Sequence, residues 1–315
     1  MRYNYPIRVS IIGVGHMGGL HARKLSKMED VSIEGVWDID ESKAKNLADE
    51  IGTRVFKSFD DAVGYSQAVI LATPTKTHGK LGLQIIERMR HLFIEKPIAS
   101  NEEEADILVG LAAERDVVLM VGHIENFNPA FVVAREYIKN PLFIEAHRLT
   151  PFRGRGTDVS VVEDLMIHDI EILLNILKSD VEYIDSSAAS VLSETPDIAN
   201  VRLRFENGCV ANLTASRISL SQKRKMRIFQ QDCYIGVDFD ARSVEIIRPA
   251  DENPQGEVVK MGNYTLEILR PEIPNADPIT EELKYFVDAI KSERRIDCES
   301  SLSALKITQK ILSRL

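Results

Sequence analysis

Three short runs of this sequence carry side chains suited to chemistry. Asp164 and His168 stand four residues apart, a spacing that stacks two side chains on one helix face. Histidine titrates near neutrality, so it can take a proton from a hydroxyl and return it; a neighbouring carboxylate can orient the ring or favour its charged form. Lys96, in Glu95-Lys96-Pro97, is a cation that could orient a hydroxyl or steady negative charge developing on its oxygen. Gly13-Val14-Gly15-His16-Met17-Gly18 has the GxGxxG form of a dinucleotide-binding turn. Each has a plain alternative: a solvated helix face, a surface lysine paired with Glu95, a glycine turn without a ligand.

Position decides the value of these residues, so the elements around them matter. Residues 7–12, 32–37, 67–72, 91–95 and 117–121 read as apolar strands, and helical segments separate them at about 16–28, 40–51, 77–89 and from Ser100. Nearly continuous apolar strands alternating with helices imply a parallel sheet covered on both faces. Beyond residue 124 the pattern changes. A helix (129–138), a strand (142–149) and a helix (161–177) lead into strand-like runs at 201–218, 226–238, 243–248 and 256–269, and two helices (278–292, 301–314) end the chain. The expected architecture is α/β: an N-terminal dinucleotide-binding domain over 1–122, and an α+β domain with a mostly antiparallel open sheet over 123–315.

On this framework the glycine motif gains weight, because it follows a strand and opens a helix. Gly13 permits the tight turn, Gly15 lets a pyrophosphate approach the backbone, and Gly18 lets helix and strand pack closely. Asp38 ends the second strand, 20 residues after Gly18, where a carboxylate accepts ribose hydroxyls and repels a 2′-phosphate. The residues after it (Ile39, Asp40, Glu41, Ser42) include no cation, which favours NAD over NADP. Segments 72–78 and 95–97 follow strands 67–72 and 91–95, at the carboxyl ends where open α/β sheets bind ligands. This makes His16, Met17, Thr73, Pro74, Thr75, His78, Glu95 and Lys96 candidate cofactor contacts.

The bulk properties agree. The chain has 315 residues with 44% hydrophobic and 28% charged content, enough for a sizeable core. A net charge of −9 argues against nucleic acid as partner. Three scattered cysteines (209, 233, 298) offer neither a disulfide framework nor metal-ligand spacing. No apolar run approaches membrane length and the start shows no secretory pattern, so a cytoplasmic protein without a membrane partner is expected.

The runs GVGHMG, VWDID, ATPTKTH, IEKP, VGHIENFNP and EDLMIHD, in this order, resemble the Gfo/Idh/MocA oxidoreductases over essentially the whole chain. The resemblance implies a two-domain, NAD(P)-dependent enzyme acting on sugar carbons, with Lys96, Asp164 and His168 as catalytic residues. His168 would take the hydroxyl proton, Asp164 would orient it, and Lys96 would bridge the substrate and the nicotinamide ribose. On a helical wheel Asp164, His168, Glu171 and Asn175 form one polar stripe; Asp169 falls in the apolar arc, where it is expected to bond a neighbouring element.

Substrate choice has two pointers. Arg153 and Arg155 precede the helix carrying Asp164, and residues 217–227 hold five further basic residues. Arginine forks match phosphates, which suggests a nucleotide sugar; a mobile loop and a charged strand edge are the alternatives. The region 147–219, from HRLTPFRGRGTDVSVVEDLMIHD to TASRIS, looks most similar to bacterial dehydrogenases acting on UDP-N-acetylglucosamine at C3. Glu125, Asn126 and Asn128 are candidate hydroxyl binders, although Asn128-Pro129 is also a good helix start. A free sugar or inositol remains an alternative substrate, and a non-catalytic NAD-binding regulator or a redox-neutral enzyme an alternative function. A homodimer or homotetramer is expected by analogy.

Overall fold

The computed structural model describes residues 5–152, 154, 157 and 159–315, so Arg153 and Arg155 lie outside the described residues. The chain divides into two units, Met1–Ile124 with Pro278–Leu305 and Glu125–Asp277 with Lys306–Leu315.

In the first unit β1 (Ile7–Ile12), β2 (Val31–Trp37), β3 (Ala68–Leu71), β4 (His91–Glu95) and β5 (Leu119–Gly122) form a parallel sheet in the order β2-β1-β3-β4-β5. All four residues of β3 are buried, as the continuous apolar run requires of a strand covered on both faces. Helices α1 (His16–Leu25), α2 (Glu41–Ile51), α3 (Phe59–Tyr65), α4 (His78–Glu87) and α5 (Glu102–Glu114) connect the strands. Asp40, Ser58 and Asn101 cap α2, α3 and α5, each accepting a backbone N–H three residues on. The expected start of α5 at Ser100 thus moves one residue. The seven-residue α3 is too short to show a period and had no counterpart in the sequence reading. The strand order reverses between β1 and β3, so the glycine turn and segment 72–78 emerge side by side at the sheet's switch point.

The expected single boundary is corrected at the C-terminus. Helix α8 (Pro278–Lys291) buries Leu283, Phe286, Val287 and Ile290, at i, i+3, i+4 and i+7. That stripe serves the first unit, where Phe286 meets Phe93 edge-to-face at 5.7 Å. Cys298 and, on α9 (Glu299–Leu312), Leu302 and Leu305 join another apolar cluster of the first unit, with Leu92 and Ile94. An amphipathic period announces a buried face but not what covers it.

The second unit is built on nine strands: β6 (Pro141–Leu149), β7 (Val181–Ala189), β8 (Ile198–Phe205), β9 (Val210–Ser216), β10 (Lys223–Gln230), β11 (Cys233–Asp238), β12 (Ser243–Pro249), β13 (Glu257–Met261) and β14 (Tyr264–Leu269). Their order is β13-β14-β12-β11-β10-β6-β9-β8-β7, antiparallel except for the β6–β9 pair. Ala199, Val201, Leu203 and Phe205 of β8 are buried and alternate with exposed Asn200, Arg202 and Arg204. Helices α6 (Pro129–Arg135) and α7 (Ile167–Leu177) cover the apolar face. No helix among the described residues is long and apolar enough to cross a membrane. The cysteines are free, and burial pushes the Cys209 thiol up to about 11 and that of Cys298 up to about 12.

Candidate active site

The glycine turn satisfies its sequence reading in steric detail. Gly13 has φ +86°, and a Cβ there would come within 2.7 Å of the Ala72 carbonyl group. A Cβ on Gly18 would lie 1.9 Å from the Gly13 carbonyl oxygen, so only glycine lets α1 start against this turn. Gly15 is different: a Cβ there would meet nothing within 4 Å. Gly15 also caps α1 without any side-chain hydrogen bond, leaving the first N–H groups of the helix facing open space. An uncapped helix start beside a vacant glycine surface fits a pyrophosphate. His16 is exposed beside it, and Met17 is half-buried.

Asp38 has a structural task as well as a candidate ligand role. Its carboxylate accepts from the Val14 N–H at 2.7 Å and the Asp40 N–H at 2.9 Å, tying the end of β2 to the glycine turn. A carboxylate offers about four acceptor positions, so capacity remains for a ribose diol.

Segments 72–78 and 95–100 are stitched together by side chains. Thr73 and Thr77 share a hydroxyl hydrogen bond of 2.8 Å, and Thr77 donates to the Pro74 carbonyl. Ser100 donates to the Thr75 carbonyl. His78 is buried, with Nε2 2.8 Å from the Thr73 carbonyl oxygen and Nδ1 2.9 Å from that of Pro97. Burial holds its pKa below the ordinary imidazole value, and the two carbonyls only partly oppose this. Its expected role as a cofactor contact is therefore corrected: both ring nitrogens serve the protein. Glu95 is tied to the protein through Oε1, which lies 2.5 Å from Nε2 of His21, a fully buried residue of α1 that the sequence reading overlooked. Lys96 stands half-buried between these two attachments, before a cis peptide bond to Pro97.

In the second unit the polar stripe of α7 is not a solvated face. Glu171 is buried and accepts 2.5 Å hydrogen bonds from Asn126 and Asn175, so Asn126 is placed against the stripe. Asp164 lies in a single turn of π-helix (Val162–Met166) running directly into α7, and His168 is the second residue of α7. Ser160 starts the turn by accepting from the Val162 N–H and donating its own N–H to Glu163. The wider π turn changes the angle between positions 164 and 168, so an ideal α-helical wheel does not hold there; π turns are frequent at functional sites.

Behind this helix lies a buried ion triad. Arg148 of β6 makes a two-pronged contact with Asp169 (2.8 and 3.1 Å) and reaches Glu125 at 2.6 Å; all three are buried. Burial alone would raise the Glu125 pKa, but Arg148 holds it below the usual carboxylate range. Asp169 thus has the neighbouring-element bond expected of it. Glu125 is corrected from hydroxyl binder to member of the triad, because a buried carboxylate needs its cation. Asn128 is corrected too: it caps α6 through the Ala130 N–H and donates to the Phe239 carbonyl.

The basic run 217–227 is split between ion pairs and the wall of an open cavity, to which Lys223, Lys225 and Arg227 contribute. Arg217 is buried against Asp197 (2.9 Å), which also accepts the N–H groups of Val191, Leu192 and Ser193. Arg224 reaches Glu125 and Asp240, Lys225 pairs with Asp238, and Arg227 pairs with Glu145. A cavity of about 830 Å³ lies on the open face of the sheet, lined by His147, Lys225, Arg227, Tyr234 and others. It is separate from the triad, since His147 and Arg148 are consecutive strand residues and point to opposite faces.

Residues 7–123 match the oxidoreductase family whose first domain is an NAD-binding Rossmann fold, GFO_IDH_MocA, and residues 141–235 match the GFO/IDH/MocA C-terminal domain. The chain belongs to the Gfo/Idh/MocA oxidoreductases. Among relatives in this family, UDP-N-acetylglucosamine 3-dehydrogenase of Acidithiobacillus ferrooxidans is 36% identical, over 93% of this chain and 91% of that protein. A solved structure of that enzyme superposes with a TM-score of 0.89 at 32% identity, covering 97% of this chain and 96% of the other. Myo-inositol 2-dehydrogenase of Thermotoga maritima is 24% identical over 91% of this chain and 89% of its own length. As a Gfo/Idh/MocA protein the chain is an NAD-dependent oxidoreductase of the sugar-dehydrogenase type. The glycine cradle, the uncapped start of α1 and Asp38 are the features of the first unit that would hold NAD.

Proposed function

We propose that the chain is a cytoplasmic, homo-oligomeric dehydrogenase that oxidises a secondary hydroxyl of a nucleotide sugar, UDP-N-acetylglucosamine at C3, with Lys96, Asp164 and His168 as its catalytic residues. The observation that carries the substrate is the 36% identity to a UDP-N-acetylglucosamine 3-dehydrogenase, which extends over 93% of the chain and so includes both units. NAD, when bound, accepts the hydride from the sugar carbon. His168 removes the hydroxyl proton as that carbon becomes a ketone, Asp164 orients the imidazole, and the Lys96 ammonium binds the oxygen on which charge develops. Arg153 and Arg155 are the proposed diphosphate ligands, with Asn126 a candidate for a sugar hydroxyl.

The test is NADH absorbance with UDP-N-acetylglucosamine, UDP-glucose, myo-inositol and glucose, with hydrazine to trap a disfavoured 3-keto product. Turnover is expected with the UDP-N-acetyl sugar, falling about 10²–10⁴-fold in His168→Ala. Turnover confined to free polyols would leave the family chemistry and remove the nucleotide-sugar reading. Tight NAD binding with no turnover of any sugar would turn the reading toward a regulator or a redox-neutral enzyme.

A further inference from the structure

Two buried imidazoles in the first unit flank the Glu95-Lys96-Pro97 segment, and neither has a task in the reaction above. His21 is fully buried on α1, three residues beyond Gly18. Its Nε2 lies 2.5 Å from Glu95 Oε1, and its ring stands edge-on to Phe93 at 5.0 Å. Gly122 on β5 makes room for this arrangement: a Cβ there would be 3.0 Å from Phe93 and 3.3 Å from Glu95 Oε1. The residue before Lys96 is therefore tied to the helix that starts at the glycine cradle.

The residue after Lys96 is tied just as directly. His78 Nδ1 lies 2.9 Å from the Pro97 carbonyl oxygen, and its Nε2 lies 2.8 Å from the Thr73 carbonyl oxygen. Thr73 lies at the start of the segment after β3, which the Thr73–Thr77 hydrogen bond braces and the Ser100–Thr75 hydrogen bond ties to the same loop. The Glu95 carboxylate before Lys96 and the Pro97 carbonyl after it thus each end on a buried ring, one on α1 and one on α4.

We propose that His21 and His78 are positioning residues that fix the backbone of Lys96 and so aim its ammonium at the reacting hydroxyl. This rests on the reading of Lys96 as the residue that binds that hydroxyl. A lysine stem has four rotatable carbons and no preferred direction. Its aim is set by the direction in which Cα–Cβ leaves the backbone, and an error of about 1 Å in a reacting contact costs about 10²-fold in rate. Anchoring residues 95 and 97 to two different helices defines that direction. The same anchoring would contribute little to NAD affinity, because the hydrogen bonds of the two rings go to Glu95, Thr73 and Pro97 and not to the glycine turn or Asp38.

The test is a double-mutant cycle. His21→Leu and His78→Leu are each made in the wild-type chain and in Lys96→Met, and kcat is measured with NAD and UDP-N-acetylglucosamine. The NAD dissociation constant is read from quenching of Trp37, the single tryptophan of the chain, which adjoins Asp38. In the wild-type background each leucine variant is expected to lower kcat about 10- to 100-fold with NAD affinity kept within about 3-fold. In Lys96→Met the further loss should be under about 3-fold, because the group being aimed is gone. His21→Gln and His78→Gln keep one donor each; they should recover part of the rate, and they carry the test if a leucine variant does not fold. Equal losses of kcat in both backgrounds, or loss of NAD binding in step with kcat, would overturn the proposal. Lys96→Met leaving kcat unchanged would overturn the reading of Lys96 itself. Lys96→Met slow with both histidine variants fast would overturn only the role given to the histidines.

Discussion

The two units hold their candidate catalytic residues by different physics. Around Lys96 the first unit uses backbone geometry and short local contacts: glycine turns, paired hydroxyls, a histidine between two carbonyl groups and the His21–Glu95 contact. Behind His168 the second unit uses charge: Arg148 between Asp169 and Glu125, and Arg217 with Asp197. A parallel sheet sets the ends of its strands beside one another, so short loops need only local bonds to be placed. A helix laid across a broad antiparallel sheet must be fixed in rotation and slide, and a forked arginine contact from strand to helix does that. The first device should fail on a change of shape, and the second when acid removes the carboxylate charges.

The largest expected effect comes from breaking the triad on one side. Arg148→Met leaves buried Asp169 without its cation and Glu125 with only the longer Arg224 contact, which costs about 3–5 kcal/mol of stability. Urea denaturation should show this as a lower midpoint. Replacing all three residues together with apolar ones of similar volume should cost less than the single substitution, since an intact buried ion pair is worth little net. A triple variant as unstable as Arg148→Met would mean that the triad is a net source of stability and would sharpen the contrast with the first unit.

Shape is the weak point of the first unit, and two glycines separate folding from ligand binding. Gly18→Ala drives a methyl to 1.9 Å from the Gly13 oxygen, so α1 must shift; a loss of about 1–3 kcal/mol is expected, together with loss of NAD binding. Gly15→Ala meets nothing within 4 Å and should leave the denaturation midpoint unchanged while weakening NAD binding about tenfold or more, because the methyl occupies the surface the pyrophosphate approaches. If Gly15→Ala bound NAD normally, the cradle would not be the pyrophosphate site.

The same division explains what the sequence revealed. Gly13, Gly18 and Asp38 were legible because steric need leaves a fixed spacing, and the strands of the first unit because continuous burial leaves continuous apolar runs. The partners of Glu125, Asn128 and Arg217 were not legible: each pairs with a residue 20 or more positions away, and no local period records such a pairing. His21 was missed although it lies three residues past the glycine motif. The signal was a histidine inside the apolar face of α1, which asks for a buried polar partner. The π turn at Val162–Met166 was invisible for another reason, since one inserted residue leaves the apolar pattern intact while rotating Asp164 relative to His168. The return of α8 to the first unit needed knowledge of which core was incomplete.

Acid is the smallest and most selective probe of the comparison. Asp197 is fully buried, and burial alone would raise its pKa; the Ser193 hydroxyl and three backbone N–H donors hold it far below the usual carboxylate range. Glu125 is held down by Arg148. A depressed pKa contributes stability that is fully present above the unfolded value, about 3.9 for aspartate and about 4.3 for glutamate, and is lost as pH falls toward the folded value. Asp197→Asn should therefore destabilise most at neutral pH, with the penalty shrinking below pH ~4. His78 runs the other way, because its folded pKa lies below the ordinary imidazole value. It binds a proton more readily when unfolded, so it favours the folded state above about 6.5 and loses that contribution as pH falls toward its folded value. Its two carbonyl contacts soften this, since protonation supplies the second N–H that a neutral ring lacks. Amide hydrogen exchange stepped from pH 5 to pH 2 should show protection falling around Asp197 and Arg148 before the β1–β3–β4 strands, while any loss between pH 7 and pH 5 should start near His78. Simultaneous loss in both units would mean that charge and shape are not divided between them as the contacts imply.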